Sequence, residues 1–329
     1  IGADDGELPL ARYEVLGFFV ASATALIAGL ALRTVFETDL RRLGNREGSA
    51  IVTLTWLVFS LVGCLPWLVT GAASFTDAYF ETMSGFSTTG ASVFPRMEVI
   101  PSGLMLWRCQ TQWMGGMGIV VLSVAVLPLL GVGGYRMFKA EVPGGSTFER
   151  NAPRIKDIAK VLWVMYLALT ALEAGLLLLA GMTPFEAVCH AFTTMSTGGF
   201  STSTASLAGW PSAAVQWIVI AFMFLAGVNF SIYEQLAVGP RRTALRNTEF
   251  QVYVVLFAVM TALVFGVLLR SGAVQGGTEP VLRAATFQVL TVSTTTGYAT
   301  HDFDQWPQIL RLVLVLMMFV GGCTGSTGG

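Results

Sequence analysis

Near-charge-free apolar runs, each about as long as a bilayer is thick, govern what this chain can fold into. They occupy 15–32, 51–70, 161–182, 213–233 and 251–269, and a helix needs about 20 such residues to cross the hydrocarbon core. The stretch 103–130 is as long but carries Arg108, and a further run begins at 309–322, which makes seven spanning candidates. Only 12% of the 329 residues are charged and 54% are apolar, about half the charge of an ordinary soluble domain. No single core could hide that much apolar surface, so an ordinary soluble enzyme is excluded, as are disorder and a disulfide scaffold. The net charge of −1 offers nothing to nucleic acid. Cys64, Cys109, Cys189 and Cys323 lie far apart without a CxxC and read as small core hydrophobes.

Basic residues set an orientation. Of 19 Lys and Arg, 13 fall within Arg33 to Arg46, Arg136 to Lys160 and Arg241 to Arg246. With those loops cytoplasmic, the segments 71–102, 183–212 and 271–308 are external. They hold only Arg96 and Arg283.

These three segments share one plan: a helix-like stretch too short to span, a Ser/Thr run, then a Gly. The first reads from Ala78 through Glu81 and Ser87-Thr88-Thr89 to Gly90-Ala91. The second runs from Ala187 through His190 and Ser196-Thr197-Gly198 to Gly199-Phe200, and the third from Ala285 through Gln288 and Thr294-Thr295-Thr296 to Gly297-Tyr298. Counted from each Ala, a polar residue stands fourth and a Gly thirteenth. The Gly-to-Gly intervals are 109 and 98 residues, with a span on either side of each segment. Such a period outranks any single motif.

Irregular backbone at membrane depth is tolerated only where protein covers it or water reaches it. A short helix ending in Thr-Thr-Gly therefore points to carbonyl oxygens that replace the hydration shell of a cation. Glycine permits the dihedrals that aim successive carbonyls at one axis, and the preceding helix turns its partly negative end to the same place. Thr295-Thr296-Gly297-Tyr298 comes close to the potassium-channel filter pattern TVGYG, and no ring of Asp or Glu suggests calcium. Ordinary polar loops with turn glycines explain one such segment, but poorly explain three in register.

Span–P-loop–span repeats with filters as simple as Thr-Thr-Gly-Ala resemble the Trk/Ktr/HKT superfamily of potassium transporters. Two more segments are similar to its bacterial TrkH branch: Trp107 to Ile119, with Trp113-Met114-Gly115-Gly116-Met117-Gly118, and Gly321 to Gly329. The resemblance implies an all-α integral membrane protein of tandem helix–P-loop–helix repeats, three of an expected four being present, with both ends lying inside a longer chain. Residues 1–50 would hold an N-terminal transmembrane helix and a cytoplasmic loop, and 51–157, 158–249 and 250–329 the pore repeats. Carried over by position, the filter lining is Thr88, Thr89, Gly90 and Ala91, then Thr197, Gly198, Gly199 and Phe200, then Thr295, Thr296, Gly297 and Tyr298. Gly at position 90, where sodium-transporting plant members carry Ser, favours potassium. Gly321, Gly322, Gly325, Ser326, Thr327 and Gly328 correspond to a loop below the filter that obstructs the cytoplasmic side; small-residue helix packing is the alternative. The resemblance also implies K+ as the transported ion, no further cofactor, a homodimer in the bacterial inner membrane, and a cytosolic ring of TrkA-type nucleotide-binding subunits on loops 34–50, 131–160 and 239–249.

Other residues remain open. Arg108 is an intramembrane charge, functional by default, yet it lies near the external side and can snorkel or pair with a carboxylate such as Glu81. Asn229 reads as interhelical glue, and Glu173 has no assigned role. An ion-coupled symporter, driven by protons or sodium, is the mechanistic alternative. An intramembrane serine protease is disfavoured, because GxSxG fails at Thr89 and Ser203.

Overall fold

A computed structural model describes residues 10–35, 45–118, 152–230, 232, 233, 236, 246–323 and 325–328. These residues form eleven α-helices and, among them, no strand. Helices α1 (Leu10–Val35), α2 (Asn45–Gly63), α6 (Ala152–Leu179) and α9 (Thr248–Ser271) fall on four of the long apolar runs. Within α1, α6 and α9, the stretches Tyr13–Val35, Val161–Leu179 and Thr248–Ser271 are long and apolar enough to cross a membrane. Little of them is buried by protein: Phe19, Leu26, Leu172, Val252 and Val255 stay exposed. Helices apolar all round and uncovered have lipid as their solvent. Helix α9 is bounded as its sequence suggests, with the Asn247 side chain capping the Phe250 N–H and Gly272 closing the end at φ 65°. After α2 the ladder is interrupted at Cys64, just ahead of Pro66, which has no N–H to continue it; α3 (Leu65–Val69) follows.

The three short helices are α4 (Phe75–Phe86), α7 (Pro184–Met195) and α10 (Thr278–Ser293). Ser74 caps α4, and Thr183 with Glu186 forms a capping box on α7. Each is followed, after its filter segment, by a returning helix: α5 (Ser102–Gly116), α8 (Ala213–Ala226) and α11 (Gln308–Met317).

The continuous helices here are shorter than the apolar runs, with helical residues resuming at Phe230 after α8. Spans were expected over 103–130, 213–233 and 309–322, but the helices stop after 15, 14 and 10 residues; positions 119–130 lie outside the described residues. Helix α8 stops because its last carbonyls are taken from outside. Phe224 O accepts from Tyr253 Oη at 2.9 Å, and Leu225 O from Tyr233 Oη at 2.6 Å. Ala226 O accepts from Thr327 Oγ1 at 3.0 Å, and Gly227 O from the Cys323 N–H at 2.9 Å. Helix α5 ends where Gly115 and Gly116 press on Phe86 and Ser196, so closely that a Cβ at either would strike backbone.

Packing follows a repeated hand-off. Each preceding helix lies on its own short helix (α2 on α4, α6 on α7, α9 on α10), and each returning helix lies on the next one along (α5 on α7, α8 on α10). This arrangement sets the three segments side by side.

Candidate ion filter

In the count from Ala78, Ala187 and Ala285, the three short helices all end at the ninth place, at Phe86, Met195 and Ser293. The eleventh residue is Thr in every segment and is left-handed in every segment, with φ of 53° at Thr88, 52° at Thr197 and 60° at Thr295. The thirteenth, Gly, is left-handed again at 74°, 74° and 81°, while the twelfth is not. Hydrogen bonds hold the first turn. The Thr N–H donates to the carbonyl three residues back, Gly85 at 2.9 Å, Thr194 at 2.9 Å and Val292 at 3.1 Å. A second bond reaches the seventh place, from Thr89 N–H to Ser84 O and Gly198 N–H to Thr193 O, and in the third segment from Gly297 N–H to Thr291 O. This is a Schellman-type closure made with Thr in place of the usual Gly. A β-branched residue held at positive φ costs about 1–3 kcal/mol. The same cost at the same place three times marks a constrained site.

The segments also fit one another in a repeated way. A Cβ on Gly90 would collide with the Gly198 carbonyl, and one on Gly199 with the Thr296 carbonyl. The thirteenth residue of one segment thus meets the twelfth carbonyl of the next, twice over. Gly297 faces open space. The second segment is interior, with Thr197, Gly198 and Phe200 buried, whereas Thr89, Ala91, Thr295 and Gly297 are exposed. Thr296 is buried against the Thr294 hydroxyl at 2.7 Å. The Phe200 and Tyr298 side chains point into the wall. Phe200 lies under the Arg108 guanidinium, 3.4 Å from the ring centre, and the Tyr298 hydroxyl meets those of Thr193 and Thr194.

Polar groups support the segments from behind. Arg108 forms a buried ion pair with Glu81, Nε to Oε1 at 2.5 Å. Glu81 also accepts from the Ser92 hydroxyl at 2.9 Å and the Val93 N–H at 3.1 Å. His190, in the same fourth place, bonds Ser201 Oγ through Nε2 at 3.0 Å and the Glu186 carbonyl through Nδ1 at 2.8 Å. This Ser–His contact was not legible in the sequence and does not revive the protease alternative. The ring is fully buried, Ser201 Oγ also accepts from the Ser203 N–H, and no carboxylate orients the imidazole. It clasps the return loop to α7. Gln112 on α5 was also missed: its Nε2 donates to Gly198 O at 2.7 Å and its Oε1 accepts from the Phe200 N–H at 3.1 Å.

Gly321 to Gly328 is not helical; Thr324 lies outside the described residues. Thr327 Oγ1 reaches the carbonyls of Met195 and Ala226, each at 3.0 Å, and Thr327 O accepts from the Thr197 hydroxyl at 2.8 Å. Gly325 O accepts from the Phe230 N–H at 3.1 Å, Gly322 packs on Gly227, and Gly328 lies against the Thr294 carbonyl. The Ser326 hydroxyl is buried without a hydrogen bond. The segment is therefore tied to the ends of α7 and α8 and to the eleventh-place Thr of the second filter segment. Most of the basic loops 34–50, 131–160 and 239–249 lies outside the described residues.

The sequence matches the TrkH family, described as cation transport protein, over residues 17–329. It is 38% identical over 293 residues to the Trk system potassium uptake protein TrkH of Vibrio parahaemolyticus, covering 87% of this chain and 60% of that protein. The proteins of the same name from Halomonas elongata and Escherichia coli K12 are 40% and 37% identical, each over 95% of this chain and over 65% and 64% of their own lengths. The crystal structure of the potassium transporter TrkH from Vibrio parahaemolyticus superposes with a TM-score of 0.83 at 34% identity, covering 96% of this chain and 65% of that one. The chain thus spans less than two thirds of the length of these relatives. It is an all-helical membrane protein and belongs to the TrkH family of cation transport proteins.

Proposed function

We propose that this chain builds part of the wall of a potassium-uptake pore, with the eleventh to fourteenth residues of each segment lining the ion path. The repeated positive φ at Thr88, Thr197 and Thr295, and again at Gly90, Gly199 and Gly297, carries the reading. On this reading the exposed backbone at Thr89, Ala91, Thr295 and Gly297 offers carbonyl oxygens to a large monovalent cation whose hydration shell must be replaced. The ends of α4, α7 and α10 add partial negative charge. The names of the relatives agree with this substrate. On this reading 51–157, 158–249 and 250–329 each give one wall, a fourth wall completes the ring, and 1–50 stands outside it. The Gly-rich stretch 321–328 acts as the gate beneath. The basic loops face the cytoplasm of a bacterial inner membrane, where a TrkA-type ring and a second copy of the protein assemble with it.

The test is Gly90→Ser in the full-length protein. The added Cβ runs into the Gly198 carbonyl and disfavours positive φ. The K+/Na+ ratio from bi-ionic reversal potentials is expected to fall about tenfold, which needs only ~1.4 kcal/mol of differential binding. Gly175→Ser, on α6 with open space around it, serves as the control. An unchanged ratio at Gly90→Ser removes Gly90 from the filter.

One observation favours ion-coupled symport as a second reading. Glu173 on α6 is fully buried, and among the described residues neither carboxyl oxygen makes a hydrogen bond of ordinary geometry, the Thr194 side chain being the polar group that reaches toward it. An uncompensated acid at membrane depth is where a coupled transporter carries a proton. Uptake into liposomes that depends on a proton gradient, and loses that dependence in Glu173→Gln, would establish symport; gradient-independent uptake would establish the passive conduit.

A further inference from the structure

We propose that Gln112 is a positioning residue of the pore, whose side-chain amide sets the backbone of the second filter segment and with it the discrimination between K+ and Na+. The inference rests on the pore reading above and assigns a role to a residue outside the ion path. Gln112 has no exposed surface. Its two hydrogen bonds straddle Gly199, one to the carbonyl before it and one to the N–H after it. Those partners fix which way the amide faces, because a carbonyl must meet the NH2 and an N–H must meet the oxygen. The amide therefore acts as a brace across the left-handed glycine, from a helix packed against both α4 and α7.

A sequence difference between the segments follows. The twelfth place is Thr89 in the first, Thr296 in the third and Gly198 in the second. A Cβ on Gly198 would run into the Gln112 amide carbon, so the brace requires glycine there. Gln112 is the eleventh residue of α5, whereas the eleventh places counted from the starts of α8 and α11 are Met223 and Met318, which carry no amide. The second segment is thus held by a side-chain amide from α5. Its carbonyl at Gly198 is shared between that amide and the contact with Gly90.

The experiment measures K+/Na+ flux ratios of the full-length protein in liposomes. Gln112→Leu keeps the bulk and deletes both hydrogen bonds, and the ratio is expected to fall about tenfold. Gln112→Glu keeps the shape and separates positioning from packing. Protonated, it donates to Gly198 O and accepts from the Phe200 N–H, whereas ionised it loses the first bond. Its ratio is expected to fall as pH rises, while that of the unsubstituted protein stays level. Of the neighbouring ionisable groups, Arg108 on α5 is paired with Glu81 of α4, and His190 on α7 is bonded to Ser201; both are present in either protein. Gly198→Ala should lower the ratio alone and add little on top of Gln112→Ala, which clears the space the Cβ needs. A selective unsubstituted protein whose ratio is unmoved by Gln112→Leu and level with pH in Gln112→Glu overturns the brace. If Gln112→Leu does not assemble, the pH profile of Gln112→Glu alone decides. An unsubstituted protein that does not prefer K+ overturns the pore reading itself, a separate outcome.

Discussion

Removing one side of the Glu81–Arg108 pair strands a charge where water does not reach, and that costs more than the pair gains by forming. Glu81→Gln is expected to destabilise the protein by about 3–5 kcal/mol, seen as a lower thermal midpoint in detergent. Glu81→Gln with Arg108→Met, which leaves no lone charge, should recover much of the loss; an unchanged midpoint in the single variant contradicts this. The pair was partly legible beforehand, since an arginine at membrane depth needs a partner and Glu81 stood in the adjoining helix. Glu98 was not, because its partners Ser203 and Thr204 lie more than a hundred residues away in sequence. Bonds from the Thr204 hydroxyl, then from the Thr204 N–H, hold the Glu98 carboxyl at about 2, below its ordinary 4.5. A lowered value means the clasp between the first and second return loops is complete above the ordinary carboxyl range and weakens as pH falls toward 2. Hydrogen exchange at the Thr204 amide, corrected for its intrinsic rate, should therefore lose protection between pH 4.5 and 2. Glu98→Gln is expected to abolish that dependence; a pH profile like that of the parent would refute the clasp.

At the scale of elements, α4, α7 and α10 were readable because a polar fourth residue and a Gly at the thirteenth place recur in register. The ends of α5, α8 and α11 were not. Hydropathy runs on past Ala226 through Val228, Phe230 and Ile232, while the donors that close α8 come from Tyr233, Tyr253, Cys323 and Thr327. Those partners exist only once the chain has folded. The bonds of Cys323 and Thr327 also tie the stretch Gly321 to Gly328 to the ends of α7 and α8, as an irregular loop and not as the helix that small-residue packing would need. Thr327→Val deletes the hydroxyl bonds to Met195 O and Ala226 O and, on the proposed gate reading, should loosen this loop. Loss of about 1.4 kcal/mol of closed-state stabilisation raises K+ flux up to tenfold. Deleting Gly322 to Thr327 should raise it further. Flux that is unchanged or lower, with normal assembly, would make the loop a packing element.

Across the described residues, a returning helix supports the next short helix twice over, α5 on α7 and α8 on α10. That relay carries the three Thr and three Gly positions to one register although 109 and 98 residues separate them in sequence. Its lipid-facing outside is the apolar surface of α1, α6 and α9, and its inside is polar backbone. Composition alone indicated the membrane, and the repeat indicated the segments. The way Gly90 and Gly199 meet the neighbouring carbonyls needed coordinates, because it depends on distances across the relay. The central claim is that these backbones surround an ion. Anomalous diffraction from the full-length protein crystallised in rubidium tests it most directly. Rubidium density is expected on the axis faced by Thr88 to Gly90, Thr197 to Gly199 and Thr295 to Gly297, and its absence there, with rubidium bound elsewhere in the protein, would contradict the account.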